Sequence, residues 1–221
     1  MRRVSSPDGK TEFLLFVSYP GSASLPQLAY QVRRDGRLAV DTSFLGFDIF
    51  NQQPMLGEND GLTSSRSGEE KNYRWLVADY MQNGSLGRKI NVEVRVWDDA
   101  VAFRYAIPRS TPLDNLMIAD ELTEFAIVGK RQAASLTMPA AVEDGAGGWI
   151  GISEVPAPGF PRMSLVRGPD GVLEASLPPS AEYPAVAYQG HTPLTCPWRV
   201  LRFGKSREEA LRAAPAEISE K

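Results

Sequence analysis

Alternation of apolar and polar side chains is the feature that most constrains this chain, because residues two apart along a strand share one face of a sheet. In residues 90–96, Ile and Val occupy every second position, with Asn, Glu and Arg between them. The same alternation resumes over residues 101–107, after the dipeptide Asp98-Asp99. Two such segments joined by a short polar turn predict an antiparallel hairpin with one buried face.

Two further hairpins follow from turn chemistry. Residues 28–32 and 38–40 flank Asp35-Gly36, a dipeptide that favours the tight turns in which both central residues have positive φ. Residues 163–166 and 172–177 flank the Gly-Pro-Asp-Gly segment at 168–171. Other predicted strands cover residues 12–19, 75–80, 122–128, 149–153 and 198–203.

Helix signals are few, and 19 Gly and 17 Pro favour short strands and turns. The clearest helix is predicted over residues 206–213, where Ser206 and Glu209 form a capping box. Residues 50–71 are polar and lack a period, which predicts long loops. We therefore expect an all-β fold, an antiparallel sandwich or barrel with a short C-terminal helix, as a single domain over residues 1–221.

Composition excludes several function classes. The net charge of −3 gives no basic surface for a phosphate backbone, so we expect no nucleic-acid partner. A single cysteine cannot close an intrachain disulfide, and a single histidine cannot build a His/Cys zinc cluster. Met1-Arg2-Arg3 is not followed by an apolar segment, and the apolar run at 13–17 is too short to span a bilayer. The chain as given therefore carries no export signal and no membrane segment, which leaves a cytoplasmic location open.

Most candidate reactive side chains have a structural interpretation. His191 lies in the turn-like Gly-His-Thr-Pro segment, and Cys196, beside Pro197 and Trp198, is predicted to be a packing residue. We interpret Asp98-Asp99 and Glu143-Asp144 as turn and loop residues, and Asp120, Glu121 and Glu124 form a third acidic cluster. In the absence of an EF-hand pattern, adjacent acids do not by themselves indicate calcium.

Glu154 differs from these acids because it follows the apolar segment at 149–153. A carboxylate at the end of a buried strand is costly unless it is paired or bound to a cation. The residues alone leave two interpretations open, an exposed glutamate at the strand edge and a cation ligand.

Several segments in sequence order resemble the N-terminal domain of glycoside hydrolase family 97. They cover nearly the whole chain, and the most similar is the hairpin Val-Arg-Val-Trp-Asp-Asp-Ala-Val-Ala-Phe-Arg-Tyr at 94–105. The others are Ser-Pro-Asp-Gly-Lys at 6–10, Leu-Ala-Tyr-Gln-Val at 28–32, Ser-Phe-Leu-Gly-Phe at 43–47, Glu-Leu-Thr-Glu-Phe at 121–125, Ile-Ser-Glu at 152–154, Thr-Pro at 192–193 and Pro-Trp-Arg at 197–199.

The resemblance implies a β-super-sandwich similar to the galactose mutarotase fold, which in this family precedes a catalytic (β/α)8 barrel. Family members are exo-acting α-glycosidases, chiefly α-glucosidases and α-galactosidases, and are usually exported to the periplasm. Their N-terminal domain packs on the barrel mouth and supplies one glutamate to a calcium ion in the active site. The resemblance places Glu154 at that position and implies calcium as the cofactor and an α-glycoside as the substrate.

Two departures from the family accompany the resemblance. Residues 67–74 keep only a fragment of a tract that the family carries between its hairpins, and the sequence ends at Lys221 without a barrel. Because glycoside hydrolysis needs two carboxylates flanking the scissile bond, we expect the chain to be catalytically incomplete alone. One glutamate cannot complete a calcium shell, so the other ligands would come from another polypeptide or a missing segment.

Two other functions are compatible with a β-sandwich. A stand-alone carbohydrate-binding module would expose aromatic side chains on a concave face, with Trp75, Trp97 and Trp149 as candidates. A sugar epimerase of the mutarotase type is suggested by fold analogy, but that chemistry uses several histidines, and His191 is the only one.

Overall fold

The computed structural model describes residues 1–129, 137–168 and 170–218. The strands are β1 (Arg2–Ser5), β2 (Thr11–Ser18), β3 (Gln27–Arg34), β4 (Arg37–Phe44), β5 (Phe47–Ile49), β6 (Asp60–Glu69), β7 (Arg74–Gln82), β8 (Lys89–Val96), β9 (Ala100–Ile107), β10 (Asn115–Glu121), β11 (Glu124–Phe125), β12 (Ala140–Glu143), β13 (Trp149–Val155), β14 (Ser164–Arg167), β15 (Leu173–Ser176), β16 (Tyr188–His191), β17 (Leu194–Thr195) and β18 (Trp198–Gly204). One helix, α1 (Arg207–Ala210), and a 3₁₀ turn (Ala216–Ile218) follow.

The strands pair antiparallel in four sheets within the described residues. The largest has the order β12-β13-β18-β9-β8-β7-β6, with β17 added to β9. A second sheet has the order β1-β2-β3-β4, and two three-stranded sheets have the orders β16-β10-β5 and β11-β15-β14. The predicted all-β fold with a short C-terminal helix is confirmed.

Aromatic side chains join the two larger sheets. Phe13 on β2 and Tyr30 on β3 stack with ring centroids 5.2 Å apart. Both rings also contact Phe103 on β9, at 5.8 and 4.9 Å. All three are fully buried. Because large rings bury much apolar area, this contact holds the sheets face to face as a sandwich.

The predicted hairpins form as β3–β4, β8–β9 and β14–β15. In the first of them, Asp35 and Gly36 have φ of 49° and 76°, the positive values that a tight hairpin turn requires. The turn of the third hairpin includes Pro169, which lies outside the described residues.

The prediction of loops over residues 50–71 is wrong, because β6 (Asp60–Glu69) lies within this range. Within the described residues, β6 is the edge strand of the largest sheet and pairs only with β7. Its middle residues are exposed, so they carry no apolar alternation that would reveal a strand.

The strand predicted over residues 122–128 is also wrong for most of its length. The long strand here is β10 (Asn115–Glu121), with Leu116 and Ile118 buried, and it ends before the predicted start. Only β11 (Glu124–Phe125) falls inside the predicted range. The backbone turns between them, where Leu122 N–H donates to the carbonyl of Gly46.

The predicted C-terminal helix forms as α1, shorter than expected. Ser206 caps it, since its hydroxyl accepts a hydrogen bond from Glu209 N–H at 3.2 Å. The Glu209 carboxylate accepts from Lys205 N–H at 2.8 Å, one residue before the cap. Across the described ranges, no helix is both long and apolar enough to pass through a membrane.

Candidate metal site and the ion pairs around Glu154

Glu154 lies near the end of β13, directly opposite Arg199 on β18. Side chains alternate along both strands, so Glu154 shares a face with buried Ile152, and Arg199 shares a face with buried Leu201. This face belongs to the main apolar core. The sheet therefore places two opposite charges side by side at the margin of that core.

Arg199 is the centre of the cluster, and its side chain is only 1% exposed. Its Nε donates to Glu121 Oε1 at 2.9 Å, and its Nη2 donates to Glu121 Oε2. Its Nη1 donates to Glu154 Oε2 at 2.6 Å. One buried guanidinium thus binds two carboxylates that come from strands far apart in sequence.

Two opposing effects determine the pKa of Arg199. Burial lowers its pKa, but the charge and hydrogen bonds of Glu121, together with the charge of Glu154, outweigh burial and raise the pKa above its ordinary value. Arg199 is therefore a permanent cation in the folded protein.

Glu121, at the end of β10, is completely enclosed. Its Oε1 also accepts a hydrogen bond from the Thr123 hydroxyl at 2.6 Å, and that hydroxyl lies 2.6 Å from the Tyr105 hydroxyl. Burial, with the charge of Glu121 next in importance, raises the pKa of Tyr105 well above its usual value. Glu121 is thus a structural counterion, because no substrate can reach it.

Glu154 is held less completely than Glu121. Oε2 accepts from Arg199 and from the Met163 backbone N–H at 3.2 Å. Oε1 accepts from Arg162 Nη1 at 3.1 Å. The side chain of Arg162 is 65% exposed, whereas that of Glu154 is 8% exposed. One oxygen is therefore fixed by buried groups, and the other faces an arginine in solvent.

This arrangement fits Glu154 as a single oxygen ligand and no more. Within residues 1–129, 137–168 and 170–218, no group of three or more His, Cys, Asp or Glu side chains could hold a metal ion. Because Ca²⁺ takes six to eight oxygens, a complete site needs ligands from elsewhere. The calcium role of Glu154 stays a prediction.

Five of the other acidic side chains singled out in the sequence have structural contacts, and the sixth, Glu143, is exposed. Asp99 pairs with Arg202, and Asp98 Oδ1 accepts from Asp8 N–H at 3.0 Å. Asp144 Oδ1 accepts from two amides of its own loop. The remaining contacts are those of Asp120 Oδ1 with Leu177 N–H at 2.7 Å and of Glu124 Oε2 with Phe44 N–H at 3.0 Å.

Cys196 is buried, as the sequence predicts, whereas His191 lies on the surface but is the last residue of strand β16 rather than part of a turn. His191 is exposed, with Nδ1 3.1 Å from the carbonyl of Asp114. Cys196 is 1% exposed. Burial, with a smaller contribution from the charge of Glu121, raises the pKa of its thiol. A thiol that stays protonated is a poor nucleophile.

The three tryptophans proposed as sugar platforms differ in exposure. Trp97 is 5% exposed and packs in a small second core with Trp198. Trp75 and Trp149 are half-buried. The indole of Trp75 lies close to Gly68 on the neighbouring strand β6, where a side chain at position 68 would collide with it. Because Trp97 is buried, it cannot act as a sugar platform.

The Glu121–Arg199 pair is a feature that the sequence interpretation missed. Arg199 occupies an inward position in strand β18, on the same face as apolar Leu201 and Phe203, and a charged residue in such a position needs a partner. The inward position of Arg199 was the signal in the sequence that this residue has a partner. The sequence does not identify the partner as Glu121, because that depends on where β10 ends.

Comparison with known proteins agrees with the fold. The family described as Glycosyl-hydrolase 97 N-terminal matches residues 4–136, which is more than half of the chain. The chain belongs to this family. A search of curated proteins finds no match.

Solved structures show the same fold. A Glycoside Hydrolase Family 97 enzyme from Pseudoalteromonas sp. strain K8 in complex with acarbose is 20% identical, with a TM-score of 0.77 over 93% of this chain and 36% of that one. A variant of this enzyme in complex with panose is 21% identical, with the same TM-score and coverage. A β-arabinopyranosidase is 20% identical, with a TM-score of 0.74 over 92% of this chain and 40% of that one. The chain therefore spans about two fifths or less of these enzymes.

Proposed function

We propose that this chain acts as the N-terminal domain of an exo-acting family 97 α-glycosidase, where it packs on a catalytic barrel and supplies one calcium ligand, Glu154. The observation that carries the proposal is the fixed Glu154 carboxylate, with Oε2 held by buried Arg199 and Oε1 turned to an exposed side chain. Membership of the family, and a fold shared with enzymes crystallised with acarbose and panose, support an α-glycoside as the substrate.

The cluster itself is unsuited to glycoside hydrolysis. That reaction needs an acid and a base or nucleophile on opposite sides of a sugar ring. Glu121 and Glu154 share the guanidinium of Arg199, and Glu121 is closed to solvent. The acid and base are therefore assigned to the barrel, which lies outside this sequence.

In the proposed assembly, this chain contributes one oxygen ligand, from the Glu154 carboxylate. Arg199 and the Met163 N–H orient the Glu154 carboxylate before any partner binds, which lowers the cost of ordering it in the assembled site. Calcium, when bound, would supply positive charge next to the reacting glycoside. The remaining oxygen ligands would come from the barrel.

Reconstitution tests this proposal. The chain is mixed with a separately expressed family 97 barrel, and hydrolysis of nitrophenyl α-glucoside and α-galactoside is measured with and without Ca²⁺. We expect activity to rise on mixing, and Glu154→Gln to lose most of that rise. Glu182→Gln, which changes an exposed loop glutamate, is the matched control. Equal activity with and without the chain would contradict the proposal.

The family resemblance also supports a periplasmic or extracellular location. Fractionation of the source cells, followed by immunoblotting for this chain, tests that assignment. Recovery in the cytoplasm would count against it.

A carbohydrate-binding module remains the competing function, and the half-buried Trp75 and Trp149 are the observation in its favour. Binding of the isolated chain to a glycan array, lost in Trp149→Ala or Trp75→Ala, would favour it over a role in a calcium site.

A further inference from the structure

We propose that residues 52–55 form a pH-sensitive switch, in which ionisation of Asp60 draws the Arg88 guanidinium away from this segment and releases it. Asp60 and Arg88 are both buried, and they come from different parts of the fold. Asp60 is the first residue of β6, whereas Arg88 lies in the turn before β8. The switch is a property of this chain alone, so it does not depend on the proposed function.

Arg88 donates its hydrogen bonds to neutral acceptors. Its Nε donates to Gln82 Oε1 at 2.6 Å, its Nη1 donates to Gln52 Oε1 at 3.0 Å, and its Nη2 donates to the carbonyl of Pro54. None of these three acceptors is a carboxylate. Because burying a cation without a counterion is costly, the guanidinium has a strong tendency to move to an ionised acid that lies close by.

Asp60 is the buried acid next to this cation. Within the described ranges, neither of its carboxylate oxygens makes a well-formed hydrogen bond. The positive charge of Arg88 favours the ionised form of Asp60, but burial outweighs it and raises the pKa of Asp60 to about 7.

The direction of the switch follows from the raised pKa of Asp60. Below about pH 7, Asp60 is neutral and Arg88 stays on residues 52–55. As the pH rises through about 7, Asp60 becomes a charged acceptor. An arginine binds a carboxylate more strongly than it binds a neutral oxygen, so Arg88 then turns from Gln52 and Pro54 to Asp60.

The other ionisable groups around Asp60 do not account for such a switch. Burial raises the pKa of Tyr80, on β7, to about 12, with smaller effects from the charges of Arg2 and Asp60, so this hydroxyl stays protonated. Glu58 Oε2 accepts a hydrogen bond from Met55 N–H at 2.8 Å, which commits that carboxylate to the segment itself. The pH response is therefore assigned to Asp60.

Backbone pairing confines the change to residues 52–55. The next residue, Leu56, exchanges two backbone hydrogen bonds with Phe47 on β5, at 2.8 and 2.9 Å. Residues 52–55 are held chiefly by the side chains of Arg88 and Gln82. Loss of the Arg88 contacts should therefore loosen residues 52–55 and leave the pairing of Leu56 intact.

Amide hydrogen exchange of the full chain, followed by NMR, tests the switch. Exchange rates are measured at about pH 5.5 and about pH 8.5 and are divided by the rates of an unstructured chain at the same pH, which gives protection factors. The reporters are the amides of Gln52 and Met55, and Leu56 is the internal reference. We expect the protection of Gln52 and Met55 to fall about tenfold at the higher pH, and that of Leu56 to stay constant.

Asp60→Asn cannot ionise, so it should abolish the pH dependence at Gln52 and Met55. Exposed Asp114→Asn is the matched control and should retain it. In the unmodified chain, the Arg88 Nε–H resonance should shift with a midpoint near pH 7, which tests the switch without any substitution. Protection of Gln52 and Met55 that is independent of pH, or that falls equally in Asp60→Asn, would overturn the inference. A parallel loss at Leu56 would show general unfolding and would overturn it as well.

Discussion

Arg199 and Glu154 face each other across neighbouring strands, and the same guanidinium makes a two-point contact with buried Glu121. The arginine therefore joins the ends of β10, β13 and β18 at the margin of the apolar core. If it is removed, two carboxylates remain with little access to water, which is the costly way to break a buried ion pair.

Replacing Arg199 by Met tests this dependence. We expect the free energy of unfolding to fall by about 3–5 kcal/mol at pH 7, as is typical when one partner of a buried pair is lost. Urea unfolding followed by tryptophan fluorescence measures it. Arg162→Ala removes an exposed partner of the same cluster and should cost at most about 1 kcal/mol. Similar losses in both variants would contradict the assigned roles.

Asp60 makes stability depend on pH. It is 4% exposed, and neither of its carboxylate oxygens has a well-formed hydrogen-bond partner among the described residues. Burial raises the pKa of Asp60 to about 7, against smaller lowering effects of Arg88 and the Gly57 backbone. Between this value and the ordinary pKa of 3.8, the folded chain keeps a proton that the unfolded chain loses.

The free energy of unfolding should therefore fall as pH rises from about 4 to about 7, with up to about 4 kcal/mol from this residue. Asp60→Asn cannot ionise, so it should be more stable than the unmodified chain at pH 8 and similar to it near pH 4. Urea unfolding at both pH values checks the prediction, with exposed Asp114→Asn as the control. An unchanged pH slope in Asp60→Asn would show that another group is responsible.

Gly151 allows α1 to pack on β13. A Cβ at this position would lie 1.9 Å from the carbonyl oxygen of Ala210, which is backbone and cannot turn away. Gly151→Ala should destabilise the fold by about 1–3 kcal/mol, as overpacking typically does. Thermal unfolding measures the loss. Glu208→Ala, on the exposed side of α1, should leave the midpoint nearly unchanged, and an equal shift in both would refute the close contact.

Cys196 should be unreactive in the folded chain, because it is 1% exposed and burial raises its pKa. Titration with a chromogenic disulfide reagent at pH 8 should show slow modification of the native protein. After denaturation, one thiol per chain should react, since the sequence has a single cysteine. Rapid native modification would contradict the buried position.

The sequence predicts the parts of the fold that local patterns determine. Alternation over β8 and β9, and the Asp35-Gly36 turn between β3 and β4, need only neighbouring residues to be recognised. β6 escapes prediction because an edge strand exposes most of its side chains. The strand predicted over residues 122–128 is displaced because tertiary pairing, which the local pattern does not contain, decides where β10 ends.

The candidate site, like the fold, is predictable from the sequence only in part. Glu154 is recognisable as an acid at the end of an apolar strand, and the family resemblance gives it a role. Its counterion Arg199 is 45 residues away in sequence, and Glu121 lies 78 residues from Arg199. No local pattern connects these residues, so the ion-pair cluster and the contact with Arg162 appear only once the strands are paired.

Calcium affinity of the assembled protein tests the central claim most directly. The chain is combined with a family 97 barrel, and Ca²⁺ binding is measured by isothermal titration calorimetry for the unmodified chain and for Glu154→Gln. Loss of one charged ligand should weaken the apparent affinity by about tenfold or more. An affinity that is the same with glutamine at this position would show that Glu154 does not bind the ion.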